Sequence, residues 1–407
     1  MLIVNLALRN LVRHYRRSLI TLISIALGVA VVLWVQGILE GQNRNIIDTV
    51  ARSQLGHIQI VKETYFKDRF LNQVLPPFDQ SILPHDALKV SRVYLPMILS
   101  SGDSSLTIQL IGVNAVDEAR ATRIRDQITE GNYLVSETKA GCEDREILIS
   151  RAAAETLGVQ IGDKVVLLGQ NAQGSLANEM LRVSGLFETG SRDFDRSIAY
   201  TSLNCAKFLL DYDGVHEIAL LLKNSNDAPA LKKQLQEKLG PEIKVATWEE
   251  SLPRMNAVIR YNRAMGLLIM LIFFVVLGLG IANTFLVSVF ERTKEFGMMM
   301  AIGVLPRQVV GLVLLEAIGV TLTAALMGLG LGFAVLLFHH RYGFDTRFLL
   351  GESIQVGNFK IDPLIFPALE VSHFIRALGV LIIFSVIAAL YPAYKASKMH
   401  PMEALRS

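Results

Sequence analysis

Hydrophobic residues are concentrated in four long blocks of the chain. Residues 18–39 and 264–290 contain no charged side chain, residues 309–338 contain only Glu316, and residues 377–394 form the shortest block. A bilayer core of about 30 Å is spanned by roughly 20 apolar residues in an α-helix. The pattern therefore predicts four membrane-spanning helices, one before and three after a long polar segment.

The basic residues indicate which side of the membrane is cytoplasmic. Residues 1–17 contain four arginines and no acidic residue, and further Lys and Arg residues occur in 291–308 and in 395–407. Basic residues in short loops stay on the cytoplasmic side of a membrane. We therefore expect both termini inside, with segment 40–263 and the loop 339–376 outside.

Residues 1–17 have the pattern of an amphipathic helix that lies on the cytoplasmic membrane surface. Basic and apolar side chains fall on opposite faces: Arg9, Arg13 and Arg16 on one, and Leu8, Leu11, Val12 and Tyr15 on the other. A cleaved signal peptide is the alternative, but the first apolar block is a full span and no small-x-small site follows it. We therefore favour the interfacial helix.

Segment 40–263 alternates strand and helix patterns, which is typical of a mixed α/β domain. Strands are predicted at 56–61, 106–113, 146–149, 164–168, 180–187, 197–201, 217–222 and 243–247. Helices are predicted at 151–157 and 229–239, and an exposed hairpin loop is predicted at 170–178. We expect this domain to have two lobes.

Helical patterns also connect this domain to the first two spans. Residues 41–54 continue the first span, with Arg44, Asp48 and Arg52 at i, i+4 spacing, and residues 252–263 lead into the second span after Pro253. The two connections are predicted to form a helical stalk that carries force between the membrane and the outer domain.

Two further features bear on helix packing inside the membrane. Small residues recur four positions apart, at Ser24 and Gly28 and again at Gly328 and Gly332, which is the spacing of close helix contacts in lipid. Glu316 is a costly carboxylate inside a predicted span. It either pairs with another charged group or reaches the nearby cytoplasmic interface, and the sequence leaves both interpretations open.

Composition excludes some functional classes. The net charge of +3 is too small for a nucleic-acid-binding protein, and no Lys/Arg-rich run is interleaved with aromatic residues. No His or Cys residues have metal-ligand spacing, so no metal site is predicted. Neither a Gly-x-Ser-x-Gly motif nor a phosphate-binding Gly-x-x-x-x-Gly-Lys motif occurs, so no catalytic residues are predicted.

The two cysteines, Cys142 and Cys205, both lie in the outer domain. In an oxidising compartment they could form a disulfide. The interpretation that we favour is that they are two independent small hydrophobic side chains.

The link between the second and third spans carries the most specific motif. It reads SVFERTKEFGMMMAIG over residues 288–303, followed by Pro306, Arg307 and Gln308. Together with ALRNL at 7–11, EGNYL at 130–134, GVQIGD at 158–163, YPAYKASK at 391–398 and PMEALR at 401–406, it resembles the MacB/FtsX-type superfamily of ABC permeases. The arrangement of one span, a large insert and three spans covers the whole chain.

This resemblance implies a membrane subunit that is not an enzyme on its own. Two permeases, identical or paralogous, would pair in a bacterial inner membrane with the large domain in the periplasm. A dimer of separate ATPase subunits would bind ATP and Mg, while this chain binds no cofactor. The ATPase-coupling residues implied are those of the link, namely Glu291, Arg292, Lys294, Glu295, Phe296 and Gly297.

Within the superfamily, the chain most resembles the lipoprotein-releasing, Lol-type permeases. That implies extraction of acylated lipoproteins from the outer leaflet of the inner membrane and their transfer to a periplasmic carrier. The cavity would be lined by residues of the first two spans and their extensions: Trp34, Val35, Ile38, Leu39, Val258, Ile259, Met265 and Leu268. These residues could equally pack helices or face lipid. A MacB-like export permease with a periplasmic adaptor and an FtsX-like activator of an external hydrolase are the alternatives.

Overall fold

The computed structural model describes residues 15–135, 141–190, 192–347, 354–356, 359–361 and 363–398. The predicted interfacial helix at 1–17 lies almost wholly outside these residues. The chain divides into two compact units. A helical unit comprises residues 1–43, 259–348 and 364–407, and an α/β unit comprises residues 44–258 and 349–363.

The α-helices are numbered along the chain. They are α1 Tyr15–Val50, α2 Glu63–Asp68, α3 Ala115–Ala121, α4 Arg151–Leu157, α5 Arg192–Ser197, α6 Leu203–Leu210, α7 Ala228–Leu239, α8 Trp248–Ser251, α9 Pro253–Glu291, α10 Thr293–Ala301, α11 Pro306–Tyr342 and α12 Val371–Ser397. A π-helical turn, Ala51–Leu55, follows α1.

The strands are numbered in the same way. They are β1 Ile58–Lys62, β2 Leu88–Ser101, β3 Ser104–Val113, β4 Ile128–Gly131, β5 Glu146–Ser150, β6 Lys164–Gln170, β7 Leu176–Phe187, β8 Ile198–Ser202, β9 Glu217–Leu221, β10 Ile243–Thr247, β11 Phe344–Asp345, β12 Ile354–Val356, β13 Phe359–Ile361 and β14 Leu364–Ile365.

Four helices of the described chain, α1, α9, α11 and α12, are long and apolar enough to cross a membrane. They confirm the predicted order of one such helix before the α/β segment and three after it. Each helix extends beyond the span predicted for it. The helix α1 includes most of the predicted stalk segment 41–54, and α9 begins at Pro253 as expected.

Small residues allow close helix contacts within the helical unit. A side chain at Gly328 of α11 would lie 2.6 Å from the carbonyl oxygen of Ala26 in α1, and one at Gly332 would lie 2.9 Å from Leu33. A hydrogen bond of 2.6 Å joins the buried hydroxyls of Thr321 in α11 and Ser385 in α12. The predicted role of Gly328 and Gly332 in helix packing is therefore confirmed.

The strands β1 to β10 form a ten-stranded sheet in the order β10-β1-β9-β2-β3-β8-β5-β7-β4, with β6 pairing both β2 and β7. Because β6 joins β2 to β7, the strands β2, β3, β8, β5, β7 and β6 form a closed ring. The remaining strands β9, β1 and β10 extend the sheet from the first half of β2.

The ring and the extension have separate hydrophobic cores, which correspond to the two predicted lobes. Alternate residues of β2, Val93, Leu95, Met97 and Leu99, belong to the core of the ring. Ile58 and Ile60 of β1 belong to the core of the extension, which α7 covers with Leu235. The strand β2 is therefore shared by both lobes.

The long strand β2 was not predicted, and Pro96 is the reason that its pattern is hard to recognise. Proline lacks the N–H group that a central strand uses for pairing. On one edge, β2 pairs with β9 through Leu88–Arg92 and with β6 through Met97–Ser100. Pro96 lies between the segments that pair with β9 and with β6, so its missing N–H group removes no hydrogen bond from either pairing.

Several other predicted elements match the structure closely. The helix at 151–157 and the strand at 243–247 have the predicted bounds. The exposed hairpin loop is shorter than predicted, because β6 continues to Gln170 and β7 begins at Leu176.

Cys142 and Cys205 form a disulfide, so the interpretation that we favoured for them was wrong. Both residues are buried, and the bond joins the segment before β5 to α6. Sequence alone did not reveal the pairing because 63 positions separate the two cysteines. Their proximity depends on the way β8 and α6 pack beside β5.

Candidate functional site

The link between α9 and α11 consists of the short helix α10 with a break at each end. Arg292 has non-helical dihedral angles, φ −107° and ψ 18°, and ends α9. Gly303 has φ +99°, a conformation that favours glycine, and it separates α10 from α11. The new helix begins with Pro306 in its first turn, where Gln308 accepts a hydrogen bond of 3.0 Å from the N–H group of Leu305.

Arg292 connects the two sides of this link. Its Nη1 donates to Oε2 of Glu316 in α11 at 2.9 Å and to Oε1 at 3.2 Å. Its Nε donates to Oε2 of Glu295 in α10 at 2.9 Å. The guanidinium carbon also lies 5.0 Å from the ring centroid of Phe296. One side chain therefore binds two carboxylates on different helices and stacks on an aromatic ring.

Glu316 is 7% exposed, and its ion pair with Arg292 answers the question that the sequence left open. A buried carboxylate is tolerated when a cation with suitable geometry binds it. The structure thus contains the ion pair, and a functional role for it stays a prediction.

An apolar cluster supports the ion pair. Phe296 is 1% exposed and packs with side chains from the cytoplasmic ends of three long helices. These side chains are Val289 of α9, Val309, Leu312 and Val313 of α11, and Ala393 and Ala396 of α12. In addition, Lys395 Nζ lies 4.5 Å from the ring centroid of Phe290. The link is thus packed against α9, α11 and α12.

The predicted coupling residues fall into two groups. Arg292, Phe296 and Gly297 are buried within the helical unit, whereas Glu291 and Lys294 are exposed and Glu295 has a side chain that is 44% exposed. Contact of these residues with an ATPase stays a prediction. Because Arg292, Phe296 and Gly297 are buried, only the exposed group of Glu291, Lys294 and Glu295 is accessible for direct contact.

Sequence analysis missed three exposed apolar residues in the same link. Met298 is 57% exposed, Ile302 is 78% exposed and Leu305 is 61% exposed. The link is a predicted cytoplasmic segment, and these three apolar residues do not fit the pattern of a buried helix face. That mismatch is the signal by which the sequence could have revealed them. We call Glu291, Lys294, Met298, Ile302 and Leu305 the coupling surface.

The predicted cavity residues on α1 take part in packing. Trp34 packs edge-on against Phe344 with ring centroids 5.2 Å apart, and Leu39 lies beside Gly266 of α9. Gln36 Nε2 donates a hydrogen bond of 2.6 Å to the carbonyl oxygen of Gly266, which joins α1 to α9 at the same level. Val35 and Ile38 are half-buried.

The other predicted cavity residues are not all brought together. Ile259 is buried, whereas Met265 and Leu268 of α9 are exposed in the helical unit. Val258 belongs to the α/β unit. A shared cavity formed by these residues stays a prediction.

A buried polar network lies within the α/β unit. Arg92 of β2 makes two hydrogen bonds to the Glu118 carboxylate, of 2.9 and 3.0 Å, and its Nη1 lies 3.6 Å from Oε1 of Glu217. Tyr94 donates a hydrogen bond of 3.1 Å to Glu217. Burial raises the pKa of Glu217 and of Tyr94. The network joins β2, β9 and α3 where the two lobes meet.

Two histidines of the α/β unit, His57 and His216, are buried, and burial lowers the pKa of each imidazole. The N–H group of Tyr94 donates to His216 Nδ1 at 3.0 Å, and the N–H group of Leu222 donates to His57 Nδ1 at 3.0 Å. An Nδ1 that accepts a hydrogen bond is unprotonated, so both contacts fit neutral imidazoles.

The α/β unit also contains an open cleft of about 790 Å³. Its lining includes Asn178, Phe208 and Tyr212, none of which was singled out from the sequence. Within the described ranges, no group of three or more His, Cys, Asp or Glu residues could hold a metal ion.

Comparison with known proteins places this architecture in a family. Residues 18–238 match the profile described as MacB-like periplasmic core domain, and residues 267–401 match the one described as FtsX-like permease C-terminal. The matches therefore cover most of the α/β segment and the segment that contains α10 and its ion pair.

Two curated relatives illustrate the range of the family. The lipoprotein-releasing system transmembrane protein LolC of Xylella fastidiosa is 23% identical, with 96% of this chain and 93% of that protein aligned. The macrolide export ATP-binding/permease protein MacB of Psychrobacter cryohalolentis is also 23% identical, with 96% of this chain but 57% of that protein aligned. This chain thus spans little more than half of that MacB protein.

A solved structure, the extracellular domain of the noncanonic ABC-type transporter YknZ from Gram-positive bacteria, is also similar. The match has a TM-score of 0.33 and 14% identity, and it covers 47% of this chain and 99% of that chain.

Both family profiles thus match in the expected order, and together they cover most of the chain. The chain belongs to the FtsX/MacB family of ABC transporter permeases, as a multi-pass membrane subunit with a large extracytoplasmic MacB-like core domain.

Proposed function

We propose that this permease releases acylated lipoproteins from the outer leaflet of the bacterial inner membrane and passes them to a periplasmic carrier. The observation that carries the proposal is the alignment with LolC, which covers 96% of this chain and 93% of that protein. The aligned MacB protein extends well beyond the matched region. Export of another substrate with a periplasmic adaptor is the second candidate, because the identity to both relatives is 23%.

The energy would come from a separate ATPase dimer that binds ATP and Mg. The alignment with LolC, a transmembrane protein that is aligned over 93% of its length, supports this division of labour. Two copies of the permease, or one copy and a paralogue, would pair above the ATPases.

The coupling surface would dock into a groove on the ATPase. Met298, Ile302 and Leu305 provide exposed apolar contacts, and Glu291 and Lys294 provide charges beside them. Buried apolar anchors surrounded by charged residues are typical of protein–protein interfaces. The buried residues Arg292, Phe296 and Gly297 would hold this surface in position without touching the ATPase.

The acyl chains of the substrate would lie against exposed apolar residues near the outer ends of α1 and α9. Met265 and Leu268 are exposed, and Val35 and Ile38 are half-buried. A second permease would complete the cavity.

The test is ATP-dependent release of a radiolabelled acylated lipoprotein from proteoliposomes that contain this chain and its co-purified ATPase, with a soluble carrier outside. We expect release that requires both the acyl group and the carrier, with a non-acylated form of the same lipoprotein as the control. Brisk ATP hydrolysis without release would overturn the lipoprotein assignment and favour export.

The docking role is tested in the same vesicles with a matched pair of variants. Ile302→Asp places a charge in the exposed apolar part of the coupling surface and should reduce co-purification of the ATPase. Leu326→Asn, on an exposed position of α11 outside the link, should leave it intact. Equal loss of the ATPase from both variants would argue against docking at this surface.

A further inference from the structure

Neither end of α10 is joined to its neighbour by a continuous helix. Arg292 interrupts the chain between α9 and α10, and Gly303 interrupts it between α10 and α11. A helical break transmits a push or a rotation poorly, because its backbone dihedrals can absorb the movement. The direction of any force that leaves α10 therefore depends on side-chain contacts.

Arg292 provides the directional contact at this position. Its guanidinium holds Glu295 of α10 and Glu316 of α11 at the same time, with donor–acceptor distances of 2.9 Å to each carboxylate. The planar guanidinium fixes the angle between its partners, which a single ammonium group does not. The Arg292 and Glu316 side chains are 8% and 10% exposed, so solvent screens their attraction weakly.

Apolar packing also holds α10 against its neighbours. Phe296 and the surrounding valines and alanines already form a closed apolar cluster. A buried ion pair contributes little stability beyond an apolar substitute of similar size, and its distinctive contribution is a defined geometry. The ion pair therefore matters most for the orientation of α10 relative to α11.

We propose that Arg292 is the positioning residue of the coupling segment: by binding Glu295 and Glu316 together, it makes α10 and α11 move as one body. When a bound ATPase displaces α10, the displacement then reaches the third membrane-spanning helix as well as α9. The inference rests on the proposed coupling of this link to an ATPase, but it does not depend on the identity of the cargo.

The experiment measures nucleotide-dependent movement of α11 in the purified complex of this chain with its ATPase in nanodiscs. Spin labels are attached at Tyr261→Cys of α9 and Tyr342→Cys of α11, which are 62% and 65% exposed. The native cysteines form a disulfide and do not take up the label. In the wild type, we expect the distance between the labels to change when ATP is added.

Arg292→Lys keeps the positive charge but lacks the planar guanidinium group. Arg292→Met lacks the charge and keeps only a side chain of similar length that can pack in the same place. We expect both variants to hydrolyse ATP while the distance change is lost and the number of lipoproteins released per ATP falls about tenfold. Glu295→Gln should also reduce the distance change, because it removes one of the two carboxylates that Arg292 holds. Arg307→Met, which removes an exposed arginine of α11, is the control. The exchange of all three charges, Arg292→Glu with Glu295→Arg and Glu316→Arg, should restore part of the distance change.

Each result separates this inference from the lipoprotein assignment. A distance change in the wild type without release would remove the cargo assignment and leave the role of Arg292 intact. The role is overturned if Arg292→Lys and Arg292→Met move like the wild type, or if the wild type itself shows no distance change. It is also overturned if the exchange of all three charges is no better than Arg292→Glu alone.

Discussion

Two buried arginines, Arg92 and Arg292, each bind two carboxylates. The sequence indicates an ion pair for one of them and not for the other. A charge within an apolar span drew attention to Glu316, the partner of Arg292. Nothing in the local pattern distinguishes Arg92, whose partner Glu118 is 26 positions away on another element. A distant ion pair becomes visible only when the fold brings its members together.

Removing the Arg92 side chain should destabilise the α/β unit strongly. Arg92→Met leaves the buried carboxylates of Glu118 and Glu217 without their cation, which costs about 3–5 kcal/mol. Arg123→Met removes an exposed ion pair with Asp48 and is the control, with an expected cost below about 1 kcal/mol. Chemical denaturation of the full chain measures both, and similar losses would contradict the buried role of Arg92.

The stability of the α/β unit should decrease as the pH falls from about 7 to 5. Burial lowers the folded-state pKa of His57 and His216, so the unfolded chain binds protons near pH 6.5 that the folded chain does not. The stability that the two histidines contribute is therefore fully present above their pKa in the unfolded chain, and it is lost as the pH decreases toward their pKa in the folded chain. For each histidine, the loss is up to about 1.4 kcal/mol per pH unit.

The measurement uses Trp248 fluorescence during denaturation in a Trp34→Phe background, since Trp34 and Trp248 are the two tryptophans of the chain. His216→Gln removes one of the two histidines, so the free energy of unfolding should change with pH about half as steeply as in the parent protein. Stability that increases on acidification would contradict this prediction and would indicate that the raised pKa of Glu217 outweighs the two histidines.

At the scale of elements, the contact between α1 and α11 depends on a missing side chain. Gly328→Val would force a methyl-bearing carbon to within 2.6 Å of the Ala26 carbonyl oxygen, so we expect a loss of about 1–3 kcal/mol. Gly330→Val is a matched control two positions away, because nothing lies within 4 Å of its site. Thermal unfolding in detergent compares the two, and equal melting temperatures would rule out the close contact.

The disulfide between Cys142 and Cys205 should stabilise the α/β unit measurably. Closing a loop of 63 positions reduces the entropy of the unfolded chain by an amount worth about 4 kcal/mol. The double variant Cys142→Ala with Cys205→Ala should melt roughly 10 °C lower than the oxidised wild type. The reductant-treated wild type is expected to resemble the variant, and a wild type unaffected by reductant would contradict the role of the bond.

Elements with a strong local pattern were predictable, and the remainder depended on partners distant in sequence. The helix α4 and the strand β10 have clear patterns and the expected bounds. The strand β2 contains Pro96, which the sheet tolerates because this residue pairs with neither β9 nor β6. Likewise, the burial of Phe296 depends on α12, which lies almost a hundred positions further along the chain.

At the scale of the whole molecule, the distribution of basic residues predicts which segments face each compartment. We expect Asp213→Cys, whose native side chain is 95% exposed, to react with a membrane-impermeant maleimide in intact spheroplasts. Lys294→Cys in the link should react only after the membrane is permeabilised. The reverse pattern would mean that the orientation is inverted.

The antiparallel pairing of β1 with β10 has a consequence for how this protein could be re-engineered. Ile58 lies opposite Thr247, so the first and last strands of segment 44–258 are immediate neighbours. A segment whose entry and exit are adjacent can be transplanted or circularly permuted with a short joining peptide. The outer domain is thus built as an exchangeable cassette, in which a new recognition surface can be grafted without redesigning the helices that follow it in the chain.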